Sequence, residues 1–253
     1  MTKNRLLILQ ILPLIVFLLI WEFSVRYDKE LIFFFGMPSK IFSYLISKTC
    51  DGSLLLDILY TSVEAIGGFI LGNLLGIILG LSFWYSKTAA DIARPYIIAL
   101  SAAPVFALAP IFIIWFGTGI LSKIMIATFS TVFLALFQAY TGATQVPREY
   151  TELMQTFRAN KNQIFRKVIT PSAIVWVISA FKMNVGMALL GAFIGEFISS
   201  ERGLGHLIMV ASGLFDISLV FAGITCLMII ALILTTLVSH LEVPLKHMVA
   251  RYL

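Results

Sequence analysis

Six stretches of this chain are apolar over about 20 residues or more, the length an α-helix needs to cross the hydrocarbon core of a bilayer. They are Leu6 to Val25, Leu54 to Trp84, Pro95 to Phe116, Ile124 to Ala143, Ser172 to Ile194 and Ile217 to His240. Of the 253 residues 60% are hydrophobic and 12% charged, which is outside the range of ordinary soluble domains. In lipid every backbone polar group has to be paired within the protein, and helices do this segment by segment. The expectation is an all-α integral membrane protein with six transmembrane helices in a single domain, 1–253. Leu6 to Val25 ends without a small-residue cleavage pattern and reads as an uncleaved span.

Lys and Arg divide unequally between the two sides of such a six-span chain. Eleven fall on the side of both termini and of the stretch Arg148 to Pro171, six on the other, and Lys182 stays within a span. The positive-inside rule then places both termini in the cytoplasm. It also accounts for the net charge of +5 without nucleic acid as a partner. Cys50 sits in a polar connection and Cys226 in an apolar run, so no disulfide framework is indicated. Pro38 to Lys48 places Ile41, Phe42, Leu45 and Ile46 on one side of an expected interfacial helix.

Two spans carry internal punctuation. Gly68, Gly72, Gly76 and Gly80 recur every four residues in the second, a stripe that lets another helix come close. Pro104 and Pro110 are expected to kink or unwind the third, and such breaks occur where they are buried in protein or line a cavity.

Arg148 to Pro171 is a basic, polar island too polar to span. Tyr150, Leu153, Met154 and Phe157 recur at helical spacing, opposite a wet face with Glu149, Glu152 and Gln155. Pro147 suits the first turn. Asn160, with Gln163 three residues on, is an expected N-cap for a second short helix with Ile164, Phe165, Val168 and Ile169 on its apolar side, ending at Pro171. The island is thus a helix-turn-helix at the membrane surface between spans four and five.

In this stretch the chain resembles the permease subunits of ATP-binding-cassette importers, in the branch that handles nitrate, taurine and aliphatic sulfonates. Their loop reads Glu-Ala-Ala, three residues, Gly, nine residues, then Ile, any residue, Leu-Pro, and Glu152, Val168 and Pro171 match it at that spacing. Leu153-Met154 replace the alanines, Arg158 the glycine and Thr170 the leucine. Pro110 to Lys123 and Gly195 to Leu207 resemble the same branch in the same order, so the resemblance covers a core of about 54–253. It implies that the loop 148–171 couples to a cytoplasmic ATPase through Glu152, Leu153, Met154, Phe157, Arg158 and Ala159. It further implies a homodimer in the cytoplasmic (inner) membrane, two ATPase subunits that hold ATP and Mg, and an extracytoplasmic solute-binding protein. This chain would then carry no cofactor. The substrate class implied is a small organic or inorganic anion or a vitamin-like molecule, moved by alternating access. Two readings of Arg158 stand open: a right-handed turn with Asn160 capping, or a contact with a carboxylate on the ATPase.

The chain has no GxxxxGK[ST] phosphate loop, no GxSxG elbow, and three isolated histidines, His206, His240 and His247. It reads as a transport subunit rather than an enzyme. Polar residues inside spans are costly and face a bundle interior or a water-filled path. Glu64, Ser101, Pro104 and Asn184 are therefore the path candidates. For Glu64, where the resembled family tends to carry arginine, snorkelling to the headgroups is the other reading. Lys182 is expected to pair with a carbonyl or reach toward the cytoplasm, and Glu196 to orient the polar segment that follows it. The rival reading of the whole chain is a self-sufficient secondary carrier or channel, against which stands the lack of an internal repeat.

Overall fold

The computed structural model describes residues 3–250, with the side chains at 3–8, 10, 11, 243 and 245–250 outside the description, and the described residues form helices and no strand. α1 (Lys3–Val25), α2 (Lys29–Phe35) and α3 (Pro38–Cys50) lead into α4 (Ser53–Tyr85). α5 (Lys87–Ala102), α6 (Val105–Phe116) and α7 (Ile120–Thr144) follow, then α8 (Arg148–Thr156), α9 (Lys161–Ile164), α10 (Thr170–Ile198), α11 (Leu204–Gly213) and α12 (Ile217–Ala250). Among the described residues four helical stretches are long and apolar enough to cross a membrane, or five if the bent pair α5–α6 counts as one. Of the expected first span, Leu12–Val25 is an apolar helix; the remaining side chains lie largely outside the described residues, as do those of Lys3, Arg5, Lys246 and Arg251.

α4 and α7 form the centre, and the glycine stripe is the reason they meet so closely. A Cβ on Gly68 would sit 2.2 Å from Ala127 Cβ, and one on Gly76 only 2.5 Å from the Val132 carbonyl oxygen. Gly72 and Gly80 face Thr131 and Ala139 in the same way. Lipid tails are as apolar as leucine, so close van der Waals contact between backbones, not apolarity, holds such a pair together. α10 closes the other side of α7, where Gly191 lies against Ala127 and Ser130. Ala65, Ala127, Val185, Leu189, Ala192, Leu204, Cys226 and Ile230 fill the space between α4, α7, α10, α11 and α12.

Three expectations are corrected. The third span breaks at Ala103-Pro104, as Pro104 leads one to expect, with 95° between α5 and α6, but it begins at Lys87 and not at Pro95. Ala103 is extended, with ψ of 128°, because a following proline disfavours the helical region. Pro110, by contrast, lies inside α6 and breaks nothing. The second island helix does not end at Pro171. It passes through a π turn, Phe165–Ile169, in which Thr170 N–H reaches back to Phe165, and continues into α10. A proline cannot donate and crowds the carbonyl four residues back, and the widened turn makes room for both.

The segment Glu196 to Asp216 is not simply a polar connection, because it contains α11, whose Leu204, Ile208 and Ala211 are buried. α3 forms over Pro38–Cys50 as expected; Ile41 is buried and Leu45 partly so, while Phe42 and Ile46 are exposed, open to lipid as on an interfacial helix.

Side-chain bonds fasten α2 and α3 to the start of α12. Met37 N–H donates to Ser218 Oγ at 3.1 Å, and Tyr44 Oη donates to Asp216 Oδ2 at 2.6 Å. The Asp216 carboxylate pushes the Tyr44 phenol above its ordinary value. Asp216 Oδ1 also caps α12 through Leu219 N–H. These elements and α11 lie at one end of the bundle; α8 and α9 lie at the other.

Candidate functional site

At the α8 end the loop is held by two capping devices. Arg158, with φ of 55°, occupies the left-handed position after α8. Arg158 N–H donates to Gln155 O at 2.8 Å and Ala159 N–H to Met154 O at 3.0 Å, the bond pair of a Schellman motif. The position suits glycine, which is what the resembled family places there. Of the two readings of Arg158, the right-handed turn is thereby corrected, although Asn160 does cap α9. Its Oδ1 accepts from Gln163 N–H at 2.9 Å while Gln163 Oε1 accepts from Asn160 N–H at 2.8 Å.

The result is a rigid corner with an apolar outside. Tyr150, Leu153 and Phe157 are exposed, Phe157 to 75%, and Glu152 and Arg158 are exposed beside them. Met154 and Ala159 turn inward onto Ala143, Ile164, Ile169 and Ala173. The corner is tied to the end of α4. Phe165 packs on Trp84 and Tyr85, with ring centroids at 5.5 and 4.5 Å, and Lys161 Nζ donates to the Tyr85 carbonyl at 2.6 Å. That carbonyl is one of those a helix end leaves unpaired, and a lysine there also complements the helix dipole. Pushing on α8 or α9 therefore pushes on α4, α7 and α10 together.

At the other end the structure assembles a polar knot that the sequence reading saw only in part. Asp57, Thr61 and Glu64 of α4, Lys123 of α7 and Glu196 of α10 are all buried. Glu196 Oε1 accepts from Thr61 Oγ1 and Oε2 from Gly205 N–H, both at 2.7 Å. Asp57 Oδ1 accepts from Gly203 N–H and Thr61 Oγ1 from Leu204 N–H, both at 2.9 Å. Three free N–H groups at the start of α11 are thus satisfied by side chains of α4 and α10. A Cβ on Gly203, where φ is 105°, would stand 2.2 Å from Glu196 Oε1, so glycine is required there by backbone and by space alike. Glu196 does orient the segment that follows it. Asp57, Thr61 and Glu64 lie four and three residues apart, one face of a helix, and that spacing was the available signal for the two members missed on α4.

The path candidates separate. Glu64 and Asn184 are 1% and 0% exposed and lie in the chain's own interior, so Glu64 is no headgroup anchor and neither side chain faces a space outside the chain. Asn184 Nδ2 donates to Asn73 Oδ1, which joins α10 to α4. Ser101 and Pro104 are exposed at the α5–α6 break. Lys182 pairs with a carboxylate and not with a carbonyl, its Nζ lying 3.1 Å from Glu242 Oε2 of α12.

Residues 72–245 match the family of the binding-protein-dependent transport system inner membrane component. The chain is 31% identical over 229 residues to the riboflavin transport system permease protein of Chloroflexus aurantiacus, covering 90% of this chain and 85% of that one. It is 30% identical over 231 residues to the formylaminopyrimidine transport permease protein of Halalkalibacterium halodurans, covering 90% of each. A putative aliphatic sulfonates transport permease protein of Bacillus subtilis is 29% identical over 175 residues, or 69% of this chain and 63% of that one. Among solved structures, a chain of the MetNI methionine ABC transporter in an inward-facing conformation superposes with a TM-score of 0.68 at 14% identity, over 78% of this chain and 98% of that one.

Proposed function

The chain belongs to the binding-protein-dependent transport system inner membrane components, the permeases of ABC importers, and from that premise we propose that two copies form a path worked by ATPase subunits docked at the α8 end. As such it is a multi-pass inner-membrane transport protein. In the full reading six helices cross, with α1 and the bent α5–α6 pair added to the four long ones, and α8 lies in the cytoplasm with both termini. α4 and α7 run in the same direction, Gly68 to Gly80 facing Ala127 to Ala139 in order, while α10 runs against α7. A parallel pair needs a crossing between them, which supports counting the bent α5–α6 pair as one span.

The observation that carries the docking assignment is the exposed apolar triad Tyr150, Leu153 and Phe157 on a corner whose backbone is capped on both sides. An exposed apolar patch rimmed by charge marks a contact with protein or membrane, and on a capped corner at the polar end of the bundle we assign it to the ATPase. ATP-driven closure of the ATPases would move this corner, and with it α4 and α10 through Phe165, Lys161 and Ile169. The binding protein would deliver solute at the α11 end. Relatives named for riboflavin and formylaminopyrimidine favour a vitamin-like heteroaromatic solute within the class of small organic molecules and anions.

The test is uptake into vesicles holding this chain with its candidate ATPase, supplied with the binding protein. Uptake should require all three components and ATP, and Phe157→Ala and Glu152→Ala should uncouple hydrolysis from uptake. Uptake by the chain alone, driven by an ion gradient, would establish the secondary-carrier reading instead.

A further inference from the structure

The knot at the α11 end contains a contact that ordinary charge pairing does not explain. Glu64 and Glu196 are both buried, and their carboxyl groups lie within hydrogen-bonding reach of each other. A carboxylate can only accept, so a bond between two carboxyl groups needs a proton on one of them. Which one is settled by the other partners. Glu196 accepts from Thr61 through Oε1 and from Gly205 through Oε2, and both bonds serve the start of α11. It therefore uses both oxygens as acceptors, as an ionised carboxylate does. Glu64 Oε2, in contrast, is buried with no partner, a position that suits a neutral acid and not a charge.

Titratable groups reach the pair's surroundings from each packed helix, including His206 of α11, whose buried Nδ1 has no partner among the described residues. Asp57 lies on the same helix as Glu64 and accepts from Gly203 N–H. Lys123 approaches from α7, with its Nζ donating to the Thr118 carbonyl, and Glu201 acts on Lys123 from the segment before α11. Three buried carboxyl groups thus share one buried lysine and one helix start. One proton lets the rest of the cluster pair without leaving an uncompensated charge in a water-poor site.

We propose that Glu64 and Glu196 form a proton-binding site, in which Glu64 is a neutral acid that donates to the Glu196 carboxylate and thereby positions Glu196 to hold α11 against α4 and α10. The proton is the ligand, and Glu64 is a positioning residue acting through Glu196. Removing the proton leaves two adjacent carboxylates and loosens their grip on the start of α11.

Infrared spectroscopy on the assembled transport complex reads the proton directly. With glutamate carboxyl groups labelled with carbon-13, a protonated carboxylic C=O band belonging to glutamate should appear in the wild type, shift in deuterium oxide, and vanish in Glu64→Gln. Glu64→Gln keeps a donor, so its thermal midpoint should stay nearer the wild type than that of Glu64→Ala. A wild-type spectrum without a protonated glutamate band overturns the proposal, as does a band that survives Glu64→Gln. The labelled wild type decides even if a variant fails to assemble. Since the measurement uses neither substrate nor ATP, its outcome does not depend on the transport reading.

Discussion

Arg158 and Phe215 are the two non-glycine residues with positive φ, at 55° and 56°, among the described residues, and each ends a helix. Phe215 follows α11 in the same bonding pattern as Arg158 follows α8, with Asp216 N–H donating to Ala211 O at 2.9 Å. A side chain in the left-handed region costs about 1–2 kcal/mol, part of which a glycine returns to the unfolded chain as entropy. Arg158→Gly should therefore raise the thermal midpoint slightly or leave it unchanged, by an amount corresponding to about 1 kcal/mol at most. Arg158→Val, β-branched and without glycine's freedom, should lower it by at least as much. Differential scanning of the detergent-solubilised complex measures both. The capping box at Asn160 and Gln163 was legible because its residue types stand at a fixed spacing. The handedness of Arg158 was not, since only its neighbours' bonds force an arginine there. A coupling contact for Arg158 is tested separately: Arg158→Glu should reduce substrate-stimulated ATP hydrolysis if the arginine meets a carboxylate on the ATPase, and should leave it intact if the residue is only solvated.

Among the elements, α4 and α7 are where sequence pattern and structure agree most fully, because a stripe of glycine at every fourth residue has few other uses in a membrane helix. The structure adds which glycines are essential and why. At Gly76 an added Cβ meets the Val132 oxygen at 2.5 Å and the Leu136 nitrogen at 2.8 Å, both backbone atoms that cannot swing aside. At Gly67 it meets only the Ile124 side chain at 3.2 Å, and at Gly186 nothing within 4 Å. Gly76→Ala should cost roughly 1–3 kcal/mol, as overpacking does. Gly186→Ala should be neutral or gain about 0.5–1 kcal/mol from lower chain entropy, with Gly67→Ala between the two. Yield of folded chain and thermal midpoint, read across the three variants, give the order; equal losses at Gly76 and Gly186 would show that the helices can separate without penalty. The π turn and the continuity of α9 with α10 were hidden because Pro171 signals a stop in sequence, and only the burial of Val168 and Ile169 before it and of Ala173 after it explains why the helix continues.

At the scale of the molecule, the four long apolar helices were legible from length, and the course of the third expected span was not. Pro104 announces a break; the 95° angle is set by Ala109 and Phe112 of α6 packing onto Ile126, Phe129 and Ile194. α11 was hidden for a different reason: the polar residues around it read as solvated, whereas Glu196 and Asp57 turn inward to hold its start. α5 packs only lightly on α4 and α7, and the bend leaves Ile92, Tyr96, Ile98, Phe106, Ile114 and Trp115 exposed. Lipid can cover such a face, yet the non-helical backbone of the break at Ala103-Pro104 is a poor lipid-facing group, since irregular backbone at membrane depth belongs against protein or a water-filled cavity. A second copy meeting this face about a two-fold axis places Ser101 next to its symmetry mate, because an isologous contact brings like residues together near the axis. Cys50 is exposed and Cys226 buried, so a Cys50→Ser background leaves one silent thiol for labelling. In that background Ser101→Cys should cross-link between copies in the assembled complex under a short bifunctional reagent, whereas Leu232→Cys, exposed on α12, should remain monomeric. The reverse result would move the two-fold axis to α12, and Ser101 and Pro104 would then line lipid instead of a path.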